Sequence, residues 1–130
     1  MDVRVPVSLG ELLDKISILE IKNDRIADPA KRANVQRELE ALTSTYNSID
    51  ELGAAERAAL CAPISDLKAV NLTLWTIEDE IRLLERSGDF SEAFIALARA
   101  VDRNNDERAR IKKDINIKFG STLVEEKSYA

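Results

Sequence analysis

The sequence predicts an all-α protein, an antiparallel four-helix bundle with a short extended N-terminal segment and a polar C-terminal tail. Three observations carry that prediction. Apolar residues recur at three- and four-residue spacing over four long stretches, the signature of helices with one oily face. Four glycines and three prolines among 130 residues are too little turn material for the many reversals of a β-sandwich. Helix start and stop signals stand at the edges of the periodic stretches. A chain of this length is expected to fold as one domain, residues 1–130, around one core.

The elements follow in order. Val3, Val5 and Val7 alternate with Arg4 and Pro6, which reads as a short extended segment that proline keeps out of a central strand. Ser8 and Glu11 fit a capping box, in which hydroxyl and carboxylate satisfy free backbone N–H groups reciprocally. A helix over about 9–26 follows, with Leu12, Ile16, Leu19 and Ile26 on one face. Asp28-Pro29 pairs an acidic cap with proline at the first helical position, opening a helix over about 29–49. Its seam is Val35, Leu39, Leu42, Tyr46 and Ile49. The connector carries Gly53 and a short helical turn over about 54–61, and Pro63 ends or kinks it. Leu67, Val70, Leu74, Ile77, Ile81 and Leu84 align a helix over about 64–87. Ser87-Gly88-Asp89 breaks the chain, and a long helix over about 90–119 ends at Gly120, where a left-handed cap belongs.

Composition narrows the function classes. A net charge of −5 gives no long-range attraction for phosphate backbones or anionic lipid, so neither nucleic acid nor membrane is an expected partner. No apolar run approaches the roughly 20 residues of a membrane span. With no histidine, His-based triads and nearly all zinc sites are out of reach. A single cysteine, Cys61, excludes an internal disulfide and, with no signal peptide in view, points to the cytoplasm. No catalytic motif stands out, and no cofactor or metal is expected.

The informative feature is a break in the oily faces. In the fourth helix Asn104, Asn105, Arg108 and Lys112 interrupt the face formed by Phe94, Leu97, Val101, Ile111 and Ile115. In the third, Asn71, Glu78 and Glu85 recur at heptad spacing beside the seam, with Trp75 and Arg82 next to them. In the first, Asn23 sits within the apolar face and Glu20 on its shoulder. Three readings stay open. The charged groups can run their methylenes along the seam into water, with Glu78–Arg82 as an ordinary i,i+4 pair. They can form a buried network that sets helix register. Or they can line a partly open cleft in which Glu20, Asn23, Asn71, Trp75, Glu78, Arg82, Asn105 and Arg108 bind a ligand. In that case the arginines hold an anion and the tryptophan stacks. Ile18 and Ile21 make the first helix apolar on a second side, which the N-terminal segment, the tail or a second protomer would cover; a homodimer is the expectation.

Val7-Ser8-Leu9-Gly10-Glu11-Leu12-Leu13-Asp14-Lys15-Ile16-Ser17-Ile18-Leu19-Glu20-Ile21-Lys22, Leu74-Trp75-Thr76-Ile77-Glu78-Asp79-Glu80-Ile81-Arg82, Asn105-Asp106-Glu107-Arg108-Ala109 and the closing Gly120-Ser121 and Glu125-Glu126-Lys127-Ser128-Tyr129 resemble the signature of a family of small uncharacterised bacterial proteins. The likeness extends over nearly the whole chain; Asp102 departs from it, an aromatic being expected after Val101. The resemblance implies no activity. It implies an association with glycosyltransferases and surface-polysaccharide genes, and its motifs include Glu20, Trp75, Glu78, Arg82, Asn105 and Arg108. The function expected from all this is a helical binding or assembly module, accessory to cell-surface glycan or nucleotide-sugar metabolism. The alternative is a small enzyme or sensor that takes a phosphorylated or sugar-like ligand in the cleft.

Overall fold

A computed structural model describes residues 1–123 and 125–128. It contains α1 (Leu9–Arg25), α2 (Pro29–Asn47), α3 (Ala54–Ser87) and α4 (Glu92–Lys118), and no strand among the described residues. The result is an all-α four-helix bundle. No helix among the described residues is long and apolar enough to cross a membrane.

The local signals operate largely as the residues dictate. The Ser8 hydroxyl accepts from the Glu11 N–H at 3.1 Å, capping α1, but the Glu11 carboxylate does not return to complete the box; it turns to lysines instead. The Asp28 carboxylate accepts from the Lys31 N–H at 2.9 Å with Pro29 in the first turn. Gly88 (φ 69°) and Gly120 (φ 67°) take the left-handed conformation that a side chain would resist, and each turns the chain out of a helix.

One element departs from the sequence expectation. The short connector helix and the third helix are a single rod, with Pro63 inside it. An interior proline costs about 3 kcal/mol. Leu60 and Leu67 lie seven residues apart, two turns along one face, and both are completely buried. Two such side chains contribute about 1.5–3 kcal/mol each, enough to keep the helix continuous through the missing hydrogen bond.

A second staple joins α2 to α3. The Arg57 guanidinium donates to the carbonyls of Leu52 (3.1 Å), Ile49 (3.1 Å) and Tyr46 (3.2 Å) and lies 4.8 Å over the Tyr46 ring. It adds a charged donor to carbonyls at the end of α2 and in the turn that follows.

α1 lies at the centre and packs on each of the other helices, whereas α2 packs along α1 and meets α3 only near its own C-terminal end, through Tyr46; α3 and α4 form a hairpin. This placement explains the second apolar side of α1. Ile21 is buried among helices, and neither the N-terminal segment nor a protomer is needed to cover it; Val3 and Val5 of that segment are exposed. The core joins Leu13, Leu52, Leu60, Leu67, Val70, Ile111 and Ile115, with Tyr46, Ile49 and Phe119 against it. At 34 residues against 17, α3 is roughly 50 Å long and α1 roughly 25 Å. The hairpin therefore outreaches the core: beyond Ile77, and until Ile111, no residue is fully buried.

Candidate functional site

Where α1, α3 and α4 meet, the polar interruptions converge on a residue that the face arithmetic did not single out. Asp14 has no exposed surface. Its Oδ1 accepts from Arg108 Nε at 2.9 Å and Oδ2 from the Arg108 terminal nitrogen at 2.5 Å, a two-pronged pair between α1 and α4. Asn71 of α3 donates to the same carboxylate at 2.8 Å and to the Ser17 hydroxyl at 3.2 Å. Lys112, one turn on from Arg108, is buried between three carboxylates: Glu11 at 2.6 Å, Glu125 at 2.8 Å and Asp14 at 3.8 Å. An ion group removed from water is stable only when every charge is matched and hydrogen-bonded, and here each is.

The titration behaviour follows. Burial pushes the Asp14 carboxyl up, but the Arg108 and Asn71 hydrogen bonds, with the charges of Arg108 and Lys112, hold it below its ordinary value. For Lys112, burial works against the charged ammonium, and the Glu11 and Glu125 hydrogen bonds with the Asp14 charge override it and raise its value. Arg108 is raised chiefly by its hydrogen bond to Asp14. All three are ionised at neutral pH.

Beside this knot the ends of α1 and α4 touch closely. The Gly10 N–H donates to Asn116 Oδ1 at 2.7 Å, so a side chain of α4 satisfies a first-turn donor of α1. A Cβ at Gly10 would fall 2.6 Å from the Lys112 carbonyl oxygen. Only glycine allows that approach.

Outside the knot a cleft of 680 Å³ opens between α4 and the C-terminal segment, lined by Asp102, Asn105, Asp106, Arg108, Lys112, Glu125 and Lys127 among others. The segment lies along α4 through Lys112–Glu125, Lys113–Glu126 (3.4 Å) and Lys127–Asp106 (3.3 Å). Charge thus holds residues 125–127 against α4, and Tyr129 of the closing motif lies outside the described residues.

The sequence-derived candidates divide. Asn71 and Arg108 meet at Asp14, and Asn105 shares the cleft with Arg108. Glu20 is half-buried and pairs with Lys68 at 2.9 Å. Asn23 keeps its side-chain oxygen buried without a hydrogen-bond partner, and Trp75 is half-buried. Glu78 and Arg82 are exposed because they lie on the part of the hairpin that outruns α1, and they form no ion pair with each other. Neither lines the cleft. Asp14, Glu11, Lys112 and Glu125 are the additions. The signal for Asp14 was present: it stands four residues before Ile18 and seven before Ile21, on the second apolar side of α1. Among the described residues no three Asp, Glu or Cys side chains are placed to share a metal ion.

Fold and site together define a helical bundle with an interhelical ion knot and a cleft of mixed charge on its flank. The chain belongs to Family of unknown function (DUF6165), whose model matches residues 3–130. No curated protein and no solved structure matches it.

Proposed function

We propose that the chain is a binding module that takes a small, hydroxyl-bearing anion, a sugar phosphate or nucleotide sugar, in the cleft between α4 and the C-terminal segment. The observation that carries this reading is the two-signed wall. Arg108, Lys112 and Lys127 supply donors for a phosphate, while Asp102, Asp106 and Asn105 supply acceptors for sugar hydroxyls. Charge-assisted bonds to phosphate are the strong contacts of such a site, and carboxylate acceptors select the polyhydroxylated part of the ligand. The volume falls in the range of small-molecule sites, about 300–1,000 Å³. Such a ligand accords with a place beside cell-surface glycan or nucleotide-sugar metabolism. The reading requires no chemical step, and the module is a sensor or carrier rather than a catalyst.

The test is calorimetric titration with glucose 1-phosphate and UDP-glucose, on the native chain and on Asn105→Ala and Asp102→Asn, which leave the ion knot intact. Expected are binding by the native chain and at least fivefold weaker binding by both variants at unchanged melting temperature. Absence of heat with both ligands at millimolar concentration overturns the reading.

A second reading, self-assembly, rests on the far part of the hairpin. Leu83, Phe90 and Ile95 are more than or about half exposed there. Among the described residues none of the charged side chains from Glu78 to Arg103 forms a salt bridge. α3 is net acidic in this stretch (Glu78, Asp79, Glu80 and Glu85 against Arg82 and Arg86), and α4 carries Arg99 and Arg103 beside Glu92 and Asp102. Two copies related by a two-fold axis can lay α3 of one against α4 of the other, matching both the apolar side chains and the charges. Light scattering decides it: a dimer that Leu83→Asp dissociates supports the reading, and a monomer at 100 μM, on the order of a weak interface's Kd, removes it.

A further inference from the structure

The C-terminal segment does more than wall the cleft. Lys112 is nearly buried, yet one of its three carboxylates, Glu125, comes from a segment with no helix to hold it and is itself more than half exposed. The other two, Glu11 and Asp14, are fixed on α1. With Glu125 counted, three carboxylates (Asp14, Glu11, Glu125) face three cations (Arg108, Lys112 and Lys15, 3.7 Å from Glu11); without it the group carries one unmatched positive charge. Glu125 therefore supplies the last matching charge, from a segment that no helix fixes, and its place is one that another anion can take.

We infer that the Lys112 ammonium with the adjoining Arg108 edge is an anion subsite for a phosphate or carboxylate, and that Glu125 is its internal occupant, a strap that such a ligand displaces. The inference rests on the binding proposed above and adds where the anionic end of the ligand docks and what opens to admit it. A tetrahedral phosphate brings more acceptor oxygens and a larger charge than one carboxylate, and both cations face the cleft. The geometry of the strap suits release. Past the Ser121 N–H bond to the Asn116 carbonyl at its root (2.8 Å), three of its contacts with α4 among the described residues are ion pairs whose acidic partners are all largely exposed, and each such pair contributes at most about a fivefold factor in an equilibrium. The segment beyond Gly120 thus stays down by summed weak pairs, and loss of the Glu125 pair to a competing anion loosens the rest. The Glu125 carboxyl is held below its ordinary value first by the Lys112 hydrogen bond and then by its charge, so it is a full anion wherever phosphate would compete.

Hydrogen exchange of the backbone and titration of the full chain test this with two readouts. In the native chain, amides of residues 121–123 and 125–128 are expected to exchange more slowly than in Glu125→Gln, and 10 mM inorganic phosphate or glucose 1-phosphate is expected to abolish the difference. Glu125→Gln is expected to bind glucose 1-phosphate roughly fivefold tighter than the native chain, on the scale of one partly exposed ion pair. Equal exchange in the two proteins overturns the strap whatever the ligand does. Equal or weaker binding by Glu125→Gln overturns Glu125 as a competitor and makes it part of the binding wall. If the strap is protected and released as expected, but neither protein binds glucose 1-phosphate, UDP-glucose or phosphate, the ligand reading fails and the anion subsite falls with it.

Discussion

Replacing Asp14 by asparagine is the most searching perturbation of the knot. The substitution keeps the shape and leaves an oxygen for Asn71 to donate to. It removes the charge that faces Arg108 at 2.9 and 2.5 Å, and it sets an amide N–H against a guanidinium N–H. Breaking a buried ion pair from one side costs about 3–5 kcal/mol, because the remaining charge stays desolvated. Arg108 keeps 28% of its side chain in solvent, which places the expected loss at the lower end, about 3 kcal/mol. For a chain of 130 residues, about 4 °C per kcal/mol turns that into a melting temperature lowered by about 12 °C. Urea unfolding at pH 7 followed by circular dichroism measures the first quantity, and calorimetry the second. The double variant Asp14→Leu, Arg108→Met removes both charges and is expected to recover most of the loss. A single variant that melts within about 4 °C of the native chain refutes the claim that this pair is desolvated and matched. So does a double variant that is worse than the single one.

Other outcomes follow from the same geometry. The Asp14 carboxyl lies below its ordinary value of 3.8 in the folded chain, so its contribution is present above that value and fades as pH falls through the folded one. Acid unfolding of the native chain is expected to be steeper below pH ~4 than that of Asp14→Asn, as measured by urea midpoints from pH 7 to 2. Lys112 shows the opposite sign: its value is raised above 10.5, so its stabilisation is complete below 10.5 and disappears as pH rises beyond, a loss that Lys112→Met abolishes in melts from pH 9 to 12. Gly10→Ala drives a Cβ to 2.6 Å from the Lys112 carbonyl and is expected to cost about 1–3 kcal/mol in urea unfolding by forcing α1 and α4 apart. Glu78→Ala and Arg82→Ala, both at exposed positions, are expected to change stability by less than about 0.5 kcal/mol; a larger loss from either would mean that the far hairpin is covered in solution.

Much of the fold was legible along the chain because its causes are local. Ser8, Asp28, Gly88 and Gly120 act on backbone groups within a few residues of themselves, and the apolar spacing of Val35, Leu67 or Ile115 reports a face without reference to any partner. The one misread element, the break placed at Pro63, failed because the proline penalty is local while the burial of Leu60 and Leu67 that outweighs it comes from the assembled core. The site was half legible. Asn71, Asn105 and Arg108 announced themselves by interrupting oily faces, and the same argument reached out to Glu78 and Arg82, since helix periodicity does not say how far along a helix its neighbour extends.

Four amphipathic helices, their caps and the presence of polar residues where oil was expected are properties of the sequence alone. The tertiary structure decided that α1 lies at the centre, that Asp14 is the common partner of Asn71 and Arg108, and that Glu125 reaches Lys112. Those partners stand 57 and 94 positions from Asp14 along the chain. Charge attracts through space with no regard to sequence separation, so no local pattern could pair them until packing brought the helices together.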